Sequence, residues 1–128
     1  MSTTELIAAA RAAAEHAYAP FSRFRVGAVA VDADGNRYVG VNVENSAYPA
    51  TTCAEAAAVA AAVAAGARQI DTVAVACIDA DRPGYPCGNC RQIMHEFGVR
   101  RVIVDGPDGP VEHDLSEILP HGFRLQGS

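Results

Sequence analysis

Apolar positions along the chain follow two rhythms. Between Thr3 and about Ala17 they recur at helical spacing, with Leu6, Ala10, Ala13, Ala14 and Ala17 near one face. Tyr18-Ala19-Pro20 ends that pattern, because a proline drives the residue before it out of the helical region. Arg25 to Val31 and Arg37 to Val43 read as strands, joined by the hairpin-turn residues Asp32-Ala33-Asp34-Gly35-Asn36. Asn45 to Thr52 is polar, contains Pro49 and reads as a loop. Cys53 to Ala65 is an alanine-rich helix closed by Gly66; its small side chains suit a buried helix that approaches its neighbours closely. Asp71 to Ile78 is nearly continuous in apolar residues and reads as a central strand. A loop from Asp79 to Pro86 leads to a second short helix, Cys87 to about Phe97, and then a strand from Arg101 to Val104. Gly106-Pro107-Asp108-Gly109 is a turn, Pro110 to His113 a short edge strand, and Asp114 or Ser116 caps a last turn reaching Leu119.

The order is therefore α, β, β, α, β, α, β with an extra strand and turn, which predicts a sheet with helices on both faces. No repeat, linker or second hydrophobic pattern divides residues 1–128, so one domain is expected. Composition narrows the classes. Half the residues are hydrophobic and 20% are charged, which excludes extended disorder. No run approaches the roughly 18 consecutive apolar residues of a membrane span. The formal net charge is −5, against general binding to nucleic-acid phosphates. All ten basic residues are arginine, which with the heavy use of alanine reads as codon bias toward GC-rich DNA. Ser2-Thr3-Thr4-Glu5 has the spacing of a helix capping box, and Glu5, Arg11 and Glu15 interrupt any signal-peptide core. A cytoplasmic protein is expected, where four cysteines point to metal ligands or core positions before disulfides.

Three of those cysteines are informatively placed. Cys53-Ala54-Glu55 is a C-x-E pattern, and Pro86-Cys87-Gly88-Asn89-Cys90 is P-C-x-x-C. Thiolates about 2.3 Å from the ion are the usual soft donors for zinc. Cys87 and Cys90 share a face at a helix start. Cys53 and Glu55, two apart, converge only if Cys53 stands at a helix tip with the metal beyond it. Two helix N-termini would then face an anionic three-thiolate metal, which their dipoles favour. Three protein ligands leave a fourth position open, the arrangement of catalytic zinc. The bland alternatives are a redox pair or half of a closed structural site. The fourth ligand of a closed site would be Cys77, His16, His95, His113 or His121, none of which has ligand spacing to the pair; Cys77 reads as core.

At this point the chain resembles the small, three-cysteine zinc type of cytidine deaminase. Residues 18–28, YAPFSRFRVGA, resemble the family's Y-A-P-[YF]-S-x-F-x-V-G-A segment; residues 42–45, NVEN, resemble its nucleoside motif; and Leu119-Pro120-His121-Gly122-Phe123 resembles its C-terminal L-P-x-x-F. With the two zinc motifs that makes five, in family order, spanning nearly the whole chain. The resemblance implies an α/β fold, a three-layer α-β-α sandwich with a mixed sheet of about five strands. It implies one Zn2+ per subunit on Cys53, Cys87 and Cys90, with Glu55 as the proton shuttle. It implies hydrolytic deamination of cytidine and deoxycytidine to uridine and deoxyuridine, with release of ammonia, in pyrimidine salvage. Phe24 is implied to stack on the base, Asn42 and Glu44 to bind the 3′-hydroxyl side of the sugar, and the Ala54 N–H and Tyr85 carbonyl to contact the base's exocyclic groups. Phe123 is implied to complete a neighbouring subunit's site in a homotetramer. No nucleic-acid or membrane partner is implied.

One position departs from the pattern. Many members carry arginine after C-A-E, where this chain has Ala56; arginine there offsets thiolate charge, and Arg91 beside Cys90 is a candidate substitute. Blasticidin S deaminases also lack that arginine and share the alanine-rich helix and the L-P-x-G-aromatic ending, but they lack N-x-E-N. A zinc-stabilised binding module without catalysis is a third reading, against which Glu55 counts.

Overall fold

The computed structural model describes residues 2–125, so both extremes of the expected 1–128 domain lie outside the described residues. Helix α1 (Thr3–Ala14) opens on the expected capping box: the Ser2 hydroxyl accepts from the Glu5 N–H while the Glu5 side chain reaches back to the Ser2 backbone. It ends three residues earlier than the apolar spacing suggests, because Tyr18 N donates to Asn42 O at 3.0 Å and draws the chain onto the sheet. Strands β1 (Val26–Asp32) and β2 (Arg37–Val41) form the hairpin. Its turn is tied by the buried Asp32 carboxylate, which accepts from Asp34 N, Asn36 N and Tyr38 Oη at 2.8–3.0 Å. The polar 45–52 segment holds a single 3-10 turn, Tyr48–Ala50. Then come α2 (Ala54–Ala64), β3 (Ile70–Cys77), α3 (Gly88–Glu96), β4 (Arg101–Gly106), β5 (Gly109–Asp114) and the short α4 (Leu115–Ile118) capped by Asp114.

The five strands lie in the order β2-β1-β3-β4-β5. Only β3 and β4 are parallel, joined by the α3 crossover; the other three pairings are antiparallel, so the sheet is mixed. Alternation along the central strands divides the core. Val73 and Val75 of β3 and Val102 and Val104 of β4 face α2 and α3, among Ala58, Val59, Ala62 and Met94. Ala74, Ala76 and Ile103 face the other way, against Leu6, Ile7 and Ala10 of α1. A sheet covered on both faces needs apolar residues at every position, which explains the unbroken run in β3. The result is the expected three-layer α/β sandwich.

Two glycines set how closely the outer layers approach. A Cβ on Gly27 would lie 2.0 Å from Ala10 O, and one on Gly40 would lie 2.4 Å from both Ala54 O and Ala58 N. Gly40 thus seats the first turn of α2, which carries Cys53 and Glu55, directly on β2. The composition of α2 and the glycine beneath it are one design: small residues on both sides of a close contact.

Candidate active site

Cys53 and Cys87 are the N-cap residues of α2 and α3, each in extended backbone, with no side-chain cap bond. Cys90 lies one turn into α3 and is fully buried. The three Sγ atoms all lie within 4.8 Å of one another. Thiolates placed tetrahedrally at about 2.3 Å from zinc are separated by roughly 3.8 Å, so this set closes on the ion with small side-chain adjustments. Among the described residues no other group of three or more His, Cys, Asp and Glu side chains is placed to hold a metal. Burial, followed by the nearby Glu55 charge, pushes the Cys90 thiol up; burial also raises Cys53. Crowded acidic groups that resist ionising alone, with two helix N-termini behind them, form a site that fits a divalent cation.

Glu55 is 6% exposed, in the first turn of α2 behind Cys53. Burial raises its carboxyl above the ordinary glutamate range. A carboxyl with that bias takes up a proton more readily than an exposed one, which suits acid–base work. Glu55, Cys53 and Ala54 line a cleft of about 820 Å³, within the usual range for small-molecule sites. Phe24, Asn42 and Tyr85 line the same cleft. Phe24 is half exposed into it and Ala54 is fully buried at its floor.

Asn42 and Glu44 do more than the sequence suggests. Val26 N donates to Asn42 Oδ1 at 2.8 Å, and Asn42 Nδ2 donates to Phe24 O at 2.8 Å. Glu44 accepts from Phe21 N at 2.9 Å, from Ser22 N at 3.1 Å and from the Ser22 hydroxyl. Both side chains therefore hold the 21–26 segment that presents Phe24. Each keeps spare capacity: one N–H and one lone pair on Asn42, and one carboxylate lone-pair site on Glu44. β2 ends at Val41, but the chain stays extended as Val43 bridges Tyr18 and Thr52. Glu44 lies in a smaller hollow beside the cleft, with Thr51 common to both.

Phe123 is not in this cleft. It is 66% exposed, and its backbone is held by both amide atoms of Gln92 on α3. Arg91 does not spend its donors on the cysteines: Nε donates to Pro86 O at 2.8 Å and Nη1 to Ile118 O at 2.6 Å, tying the P-C-x-x-C loop to α4. Cys77 departs from the core expectation. As the last residue of β3 it is only part-buried and faces the cleft. Two features escaped the sequence expectations, Gly40 under α2 and an Arg25–Asp79 ion pair, and Thr51 lines the cleft without capping α2. Only Gly40 left a signal, as a glycine inside a strand pattern.

The family model for the cytidine and deoxycytidylate deaminase zinc-binding region matches residues 1–105. A cytidine deaminase of Sporosarcina psychrophila is 41% identical over 129 residues, covering 98% of this chain and 94% of its own. One of Mycobacterium tuberculosis is 42% identical over 114 residues, covering 88% of this chain and 83% of its own. The crystal structure of cytidine deaminase from Burkholderia pseudomallei aligns at a TM-score of 0.88 and 40% identity, over 96% of this chain and 100% of that one. Three clustered cysteines at two helix tips, a buried glutamate beside them and likeness over nearly the full length agree: the chain belongs to the cytidine and deoxycytidylate deaminase family.

Proposed function

We propose that this protein is a zinc-dependent cytidine deaminase, converting cytidine and deoxycytidine with water to uridine and deoxyuridine plus ammonia. The observation that carries the reading is the Cys53, Cys87 and Cys90 cluster at the mouth of two helices, with Glu55 buried beside it in a cleft of nucleoside size. Zinc, bound by these three thiolates, would supply a water acidic enough to act as nucleophile near neutral pH. The chain's own residues do the rest. Glu55 takes the water's proton and gives it to N3 of the cytosine ring as the hydroxide oxygen bonds to C4; it then takes the proton of the new C4 hydroxyl and delivers it to the amine, which leaves as ammonia. Its buried position keeps competing water away from those transfers. Phe24 stacks on the pyrimidine. The Ala54 N–H and Tyr85 carbonyl meet the exocyclic groups of the base.

The spare donor and acceptor of Asn42 and the remaining lone pair of Glu44 bind the 3′-hydroxyl side of the sugar. Both groups stand partly shielded, so a ligand without the 3′-hydroxyl leaves that spare capacity unfilled and binds less well, while cytidine and deoxycytidine both supply it. Residues 1–128 act as one catalytic domain, and four copies assemble with Phe123 reaching a neighbour's site. The exposed Phe21, Tyr48 and Phe123 support that assembly. The reaction belongs to pyrimidine salvage in the cytoplasm. Among the described residues no helix is long and apolar enough to cross a membrane. A blasticidin S-directed activity is not favoured, since NVEN at 42–45 is intact and the relatives cited are named cytidine deaminases.

The test is chromatography of cytidine, deoxycytidine and blasticidin S incubated separately with the zinc-loaded protein. Uridine and deoxyuridine at ordinary enzymatic rates are expected. Turnover of blasticidin S alone would transfer the site to that substrate and make Ala56 the first residue to exchange.

A further inference from the structure

The loop from Asp79 to Pro86 joins β3 to the P-C-x-x-C turn, and most of it lines the cleft. Phe24 lines the cleft from the start of β1. A contact that the reaction above does not use connects these two walls. The Arg25 backbone N–H donates to Asp79 Oδ2 at 2.9 Å, Arg25 Nε donates to the same oxygen at 2.9 Å, and Arg25 Nη2 donates to Asp79 Oδ1 at 2.9 Å. One residue earlier in the loop strand, Ile78 N donates to Arg25 O at 3.1 Å, so the β1–β3 ladder runs straight into this fork. Glu15 adds a second, longer contact to Arg25 at 3.3 Å. The Asp79 side chain is three-quarters shielded, with 25% exposure. The guanidinium holds its carboxyl down at about 2, so the pair stays charged wherever the enzyme works.

We propose that Arg25 and Asp79 are a positioning pair that fixes the first half of the 79–86 loop against the Phe24 segment, and so sets how tightly the cleft grips its nucleoside. The inference rests on the deaminase reading of the cleft. Neither side chain has a role in proton transfer. Arg25 adjoins Phe24 in the chain, and its backbone and side chain bond the same carboxylate, so Asp79 cannot shift without disturbing the aromatic wall. The far end of the loop has its own ties. Tyr85 Oη lies 2.8 Å from His113 Nε2, and Arg91 holds Pro86 O. Losing the fork therefore loosens residues 79–84 and leaves the cysteine turn in place. Substrate affinity suffers before chemistry does.

The experiment compares the zinc-loaded parent with Arg25→Gln, Asp79→Asn and the double variant by cytidine saturation kinetics, zinc content and backbone 15N order parameters. Each single variant is expected to raise KM about tenfold, with the double no worse than either single, as for a directly coupled pair. kcat is expected to stay within about threefold of the parent and zinc at one per chain, a split that general destabilisation would not give. Order parameters for Ala80, Asp81, Arg82 and Gly84 are expected to fall toward about 0.6 while those of β3 hold. Arg25→Lys keeps the charge without the fork and is expected to resemble Arg25→Gln. An unchanged KM, a double variant equal to the product of the singles, or an unaltered loop would each overturn the pair. A parent that never turns over cytidine would instead refute the deaminase reading, and the order parameters would still decide whether the fork holds the loop.

Discussion

Ala56 follows Glu55 and packs, partly buried, against the core beneath α2. Many family members place arginine there, whereas Arg91 donates to the Pro86 and Ile118 carbonyls. The two helix N-termini support the three thiolates. Adding a cation should stabilise the ionised site. Ala56→Arg is expected to move the acidic limb of the pH–rate profile down by about one unit, while superimposable profiles would show that the position carries no electrostatic weight. The cysteines and Glu55 were legible because soft donors at fixed spacing have few other uses. Their geometry was legible too: Cys53 and Glu55 could converge only with Cys53 at the helix tip, where it stands. Cys77 misled because an apolar run does not reveal that its last residue passes the edge of the core. The structural tasks of Asn42 and Glu44 were hidden because their partners lie 16–23 positions away.

Elements were legible wherever burial imposes a period. α2, β3 and the hairpin emerge from spacing and turn residues alone. Their ends were less so, because distant contacts set them. α1 stops where Tyr18 docks on Asn42, and β2 yields at Val41 to a segment bridged on both sides. The contact between β2 and α2 makes the sharpest prediction at this scale. Gly40→Ala places a methyl 2.4 Å from two backbone atoms of α2, which no side-chain rotation relieves. Loss of about 3 kcal/mol or more is expected in denaturant unfolding. Because the displaced turn carries Cys53 and Glu55, zinc affinity should fall as well. A variant with parental stability and zinc content would contradict the role given to this contact.

At the scale of the whole molecule, a metal held by Cys53, Cys87 and Cys90 would join the tip of α2 to the first turn of α3. Removing it leaves two thiols whose burial already disfavours ionisation. Chelation is expected to lower Tm by about 10 °C or more, since a ligand a thousandfold above its Kd contributes about 4 kcal/mol. An unchanged Tm after verified zinc removal would count against coupling between the site and the fold. Acid acts through a different contact. Asp79 is held at about 2, below its ordinary 3.8, so it binds its proton less readily folded than unfolded. Its contribution is complete above that ordinary value and disappears as pH falls toward 2. The stability gap between zinc-free parent and zinc-free Asp79→Asn should be constant above about pH 5 and shrink below pH 4. A gap independent of pH would remove the ion pair from the cause. The most direct test of the whole reading joins site and reaction: zinc content and cytidine turnover measured side by side for the parent and Glu55→Gln. One zinc per chain is expected in both proteins, with kcat at least about a hundredfold lower in the variant. Substantial uridine formation by zinc-loaded Glu55→Gln would contradict the proton-shuttle role on which the proposed function stands.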